Sequence, residues 1–103
     1  VVESDKKFPA MDLKKIKLAL TVELMNHPTS FQPVKFAKAA MRHFQVEAGS
    51  FRRWSVKDSR PLNEVLEQQT LELEYEHCIL NLDLVKNRSS RIRSFQGFDL
   101  RLN

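Results

Sequence analysis

Catalysis and metal binding need side chains that converge, so the reactive residues of this chain are the place to begin. Histidines stand at His27, His43 and His77, and the single cysteine is Cys78. None of these spacings is that of a metal-ligand set. His77 and Cys78 are neighbours, so on a helix they point apart, and each reads as a half-buried packing residue. Gly49 and Gly97 are too far apart to build a phosphate-cradling loop, and no G-x-S-x-G elbow occurs. Carboxylates are plentiful from 64 to 83, but Glu72, Glu74 and Glu76 read as a solvated face. The expectation is a protein that is not an enzyme, with no catalytic residue, metal or cofactor.

The cations are more informative. Formal net charge is +4, and it is unevenly spread. Residues 35–60 carry seven Lys and Arg against Glu47 and Asp58, whereas residues 61–85 carry six acids and no Lys or Arg. Residues 86–103 are basic again. Basic blocks gathered on one surface attract a polyanion. The same segregation also fits plain solvated faces, or an acidic block that neutralises basic ones within the fold or across a dimer.

Which of these holds depends on the elements that carry the charges. The first ten residues read as a flexible leader and 11–103 as one helical domain. A first helix is expected from Asp12, its cap, to about Met25, with Leu13, Ile16, Leu20 and Leu24 as a buried stripe widened by Leu18, Val22 and Met25. Pro28 ends it. A second helix starts near Ser30, tolerates Pro33 in its first turn, and lines up Val34, Ala37, Met41 and Phe44. It then either breaks at Gln45–Gly49, before a short third helix through Trp54, or runs on through Ala48 and Phe51. Gly49, at about 1 kcal/mol against Ala in a helix interior, favours the break. Beyond Pro61, the positions Leu62, Leu66, Leu73, Leu80 and Leu84 fit a heptad-like helical stripe. The strict alternations of 71–76 and 78–84 fit strands instead, but they slip phase at His77–Cys78 with no turn residue there. Leu and Glu favour helix, so a long helix is expected. Phe98, Leu100 and Leu102 alternate as a short strand or docked tail.

Within this frame, Ala40-Met41-Arg42-His43-Phe44-Gln45-Val46, Glu47-Ala48-Gly49-Ser50 and Phe51-Arg52-Arg53-Trp54 resemble the helix-turn-helix of transposases and centromere-binding proteins. The resemblance covers about a fifth of the chain. It implies that Phe44, Val46, Phe51 and Trp54 pin a recognition helix. Glu47, Ser50, Arg52 and Arg53 would then face the major groove, and Lys35, Lys38, Arg42, Lys57 and Arg60 would meet phosphates. Arg88, Arg91 and Arg93 form a second candidate, a basic arm.

Composition sets the outer limits. A chain of 103 residues, 42% apolar, supports one core. Scarce glycine argues against a turn-rich sandwich or barrel. The fold class expected is mainly α: a small bundle of three to five helices, with or without a short C-terminal strand. A lone cysteine, no apolar run of membrane-spanning length and no signal-peptide core point to an intracellular setting, cytoplasmic or nuclear. The chain opens on Val1 rather than Met, which reads as a piece of a longer protein. The function expected is nucleic-acid binding, DNA before RNA. The competing expectation is a protein-interaction or homodimer module using the Leu62–Leu84 stripe.

Overall fold

The computed structural model describes residues 13–30 and 32–102. The expected leader 1–10 and the expected Asp12 cap lie outside them. The element order is α1 (Leu13–Asn26), β1 (Thr29–Ser30), α2 (Pro33–Met41), a 3-10 turn (Arg42–Phe44), α3 (Gln45–Ala48), β2 (Phe51–Pro61), β3 (Leu66–Tyr75), β4 (Cys78–Asn87) and β5 (Arg93–Leu102). The strands form one antiparallel sheet in the order β1-β5-β4-β3-β2. The helices pack on one of its faces through a single core.

The first half of the chain folds much as its periodicity predicts. Ile16, Leu20 and Leu24 are buried. Pro33 opens α2, where its missing N–H is not needed. Ser30 does not cap α2; its Oγ accepts a hydrogen bond from the Gln32 N–H at 2.9 Å. Leu18, Val22 and Met25 do not widen the buried stripe: they are more than half exposed, on the opposite side of α1. His27 stacks on Phe36 with ring centroids 3.9 Å apart, joining the end of α1 to α2. The helix breaks before Gly49, as its propensity suggests.

The second half overturns the mainly α expectation, because β3 and β4 replace the long helix and β2 replaces the third helix through Trp54, within a sheet of five strands. On a helix, Leu71 and Leu82 would lie on one side, with Leu73, Leu80 and Leu84 on the other. On two strands all five face the helices and are 0–1% exposed. Each buried leucine is worth about 1.5–3 kcal/mol, against a few tenths per residue from helix propensity. Burial therefore decides. The phase slip at His77–Cys78 is the hairpin turn itself, with Tyr75 and Cys78 closing β3 and β4 around Glu76–His77.

The turn needs no glycine of its own but needs one opposite. The N–H groups of Glu76 and His77 donate to the carbonyls of Ser50 and Ala48 at 3.1 and 2.9 Å. Gly49 lies between them at φ 83°, and a Cβ there would meet Glu76 Cβ at 2.5 Å.

Candidate nucleic-acid interface

The face that β2 presents to the helices is set by two register shifts. Phe51 pairs with Tyr75 and Trp54 with Leu73, with a bulge between Phe51 and Arg53. Residues three apart on a regular strand point to opposite faces, and the bulge restores them to the same face. Val56 opposite Leu71 continues that face, and a second shift follows before Asp58. This corrects the recognition-helix assignment: Phe51, Arg52, Arg53 and Trp54 form the start of an edge strand. A strand with bulges can mimic the i, i+3 spacing on which the resemblance rested.

On the opposite face of the sheet the acidic residues meet their counterions. Arg53 Nη2 lies 2.9 Å from Glu74 Oε1, and Lys57 and Arg101 approach Glu72 at 4.0 and 3.9 Å. Thr70 Oγ1 donates to Asp83 at 3.1 Å. Arg60 pairs with Asp58 at 3.3 Å. Within the acidic block, Glu72 and Glu74 thus meet cations from β2 and β5, and the Leu62–Leu84 stripe is not a free seam. Its inner leucines fill the core, and only Leu62 and Val65 at the β2–β3 turn are exposed.

The expected basic arm is a tight turn between β4 and β5. Asn87 Oδ1 accepts from the N–H groups of Ser89 and Ser90, and Arg91 sits at φ 65°. Arg88 reaches Glu67 at 3.9 Å. Arg91 is exposed on the turn, and Arg93 is carried away from it into β5.

Lys35, Lys38, Arg42 and Arg93 are brought together. They line a cleft of about 380 Å³ between α2 and the sheet, with Gln32, Pro33, Val34, Trp54 and Leu71. A smaller recess of about 160 Å³ adjoins it, sharing Lys38 and Arg42 and reaching Phe51, Tyr75 and Gly49. Together they make a groove along α2. Trp54, 46% exposed, is its aromatic wall. Lys38 Nζ stands 4.2 Å from the centroid of the Phe51 ring. Among the described residues no carboxylate forms an ion pair with Lys35, Lys38, Arg42 or Arg93, in contrast to Arg53, Lys57, Arg60, Arg88 and Arg101.

At the far end of the smaller recess, the Ser50 N–H donates to Glu76 Oε1 at 2.8 Å. That hydrogen bond, helped by the nearby His77 and Arg52, holds the Glu76 carboxyl below its ordinary pKa against the opposing effect of desolvation. Ser50 is thus engaged in fixing the β3–β4 turn.

Sequence reasoning reached the four groove cations but not the groove. Trp54 entered as a packing anchor, whereas it is the groove's exposed ring. Among the described residues no three His, Cys, Asp or Glu side chains are grouped to hold a metal ion. No described helix is long and apolar enough to cross a membrane. Comparison with family models, with curated proteins and with solved structures finds no match to this chain.

Proposed function

We propose that the domain binds single-stranded nucleic acid in the groove beneath α2, with a base stacked on Trp54 and the backbone phosphates on Lys35, Lys38, Arg42 and Arg93. The observation that carries this reading is four cations that have no carboxylate partner among the described residues, gathered around a half-exposed tryptophan. Single-strand sites combine a positive groove with aromatic platforms, because every base has a π-face and every link a phosphate. The cleft volume falls in the range of small-ligand pockets and suits one nucleotide at a time. A duplex keeps its bases stacked and paired, so Trp54 could reach none of them. An intracellular setting, cytoplasmic or nuclear, accords with such a ligand and with the lone cysteine.

The test is fluorescence anisotropy with labelled oligothymidylate, its RNA counterpart and a matched duplex. Tighter binding of single strands than of duplex, weakened by Trp54→Ala, supports the reading. Equal binding of duplex and single strand, insensitive to Trp54→Ala, contradicts it.

A further inference from the structure

Among the described residues Gln69 is a polar side chain buried within the core, 6% exposed. It projects from β3 on the helix-facing side, paired with Leu84 across the sheet. Burying an amide is costly unless it is hydrogen-bonded, and an aliphatic side chain would suit Leu84 and the core better. The bond it makes is specific: Gln69 Oε1 accepts from Arg93 Nε at 3.1 Å. Arg93 also lines the groove that holds Trp54.

This arrangement differs from the ion pairs of the other face. A neutral acceptor on Nε fixes the plane of the guanidinium without cancelling its charge. It leaves the two Nη groups to donate elsewhere. A planar guanidinium held in this way matches two oxygens of a phosphate, where a lysine offers only a point charge. We infer that Gln69 is a positioning residue that holds Arg93 as a phosphate fork, serving the phosphate next to the base stacked on Trp54. This inference rests on the single-strand reading above and assigns that site its phosphate-recognising pair.

The test compares wild type, Gln69→Met, Arg93→Lys and Arg93→Ala against oligothymidylate and against the same oligomer with an uncharged methylphosphonate backbone. Methionine keeps the length of the Gln69 side chain and removes the acceptor. Gln69→Met is expected to weaken binding of the charged oligomer roughly tenfold, the scale of one charge-assisted hydrogen bond. It should have no effect on the methylphosphonate oligomer and none in the Arg93→Ala background. A purely structural role would weaken all of these alike. Arg93→Lys keeps the charge and leaves Gln69 in place, and should lose about as much as Gln69→Met. If Gln69→Met fails to unfold cooperatively, Arg93→Lys carries the test, and wild-type affinity there overturns the inference. Wild-type protein that binds neither oligomer overturns both the groove reading and this one. Wild-type binding with unchanged affinity in Gln69→Met overturns this inference alone.

Discussion

Arg42 and Arg53 belong to the same basic block, yet their alanine variants should behave differently. Arg53 is 74% exposed and spends its charge on Glu74 across the strand, 2.9 Å away. Arg42 lines both recesses of the groove and has no carboxylate partner among the described residues. Each phosphate neutralised on a single strand steepens the dependence of log affinity on log salt by about 0.7. Four cations in contact therefore give a slope of roughly −3. Arg42→Ala should reduce this to about −2 and weaken binding at low salt. Arg53→Ala removes a solvent-screened surface pair worth about 1 kcal/mol or less to stability, and should leave the slope unchanged. The assay is oligothymidylate titration by anisotropy over a range of salt concentrations, with both variants shown to melt cooperatively. If Arg53→Ala flattens the slope as much as Arg42→Ala, or if Arg42→Ala does not flatten it, the assignment of the binding surface to the α2 groove is refuted.

Three further outcomes follow from the fold. Gly49→Ala forces a side chain into a backbone conformation at φ 83° and against Glu76 Cβ; it should cost about 1–3 kcal/mol, read as a lower urea midpoint, and an unchanged midpoint would contradict the described turn. Glu76 has a folded pKa below its unfolded value, so its contribution is present above the ordinary carboxylate range and lost as pH falls through the lowered folded value. Glu76→Gln should therefore be less stable than wild type at neutral pH and approach it in acid, whereas a gap that persists in acid would point to packing rather than charge. Cys78 is fully buried and its thiol is pushed up to about 11 by desolvation; a thiol reagent at neutral pH should modify it only on unfolding, and rapid modification of the native protein would contradict that burial.

What was legible in the sequence follows from the physics each pattern reports. Ile16, Leu20 and Leu24, and Pro33 with Ala37 and Met41, lie on helices whose buried faces repeat at helical spacing, and these elements were placed well. Leu18, Val22 and Met25 share that period but face outward, because periodicity cannot say which side of a helix the sheet will cover. The strands were misread for two separate reasons. Leu71 to Leu84 alternate as strands should, but helix propensity outweighed the alternation, and the two-residue turn Glu76–His77 lacks glycine. Its backbone is instead accommodated by Gly49, far away in sequence. Phe51 and Trp54 stand three apart and read as helical neighbours. A register shift beside them lets both rings face the helices, as the shift between β4 and β5 does for Phe95 and Phe98.

The site was half legible for the same reasons. Lys35, Lys38 and Arg42 stand out in the sequence as cations of the 35–60 basic block, and they gather on one side because a helix groups residues three and four apart. Arg93 joins them only through β5, and Trp54 through β2. Arg52, Arg53, Lys57 and Arg60 were selected for the same charge, but β3 runs beside them and supplies carboxylates to Arg53 and Lys57. Pairing of this kind depends on strand order, which local sequence does not specify.

Stacking of a base on Trp54 within the groove has a direct optical test because the chain contains one tryptophan. Its emission should be quenched saturably as oligothymidylate is added, with a midpoint matching that of anisotropy, and the quenching should fade as salt is raised. Oligothymidylate bound by anisotropy with Trp54 emission unchanged would place the ligand elsewhere on the protein and contradict binding in the groove.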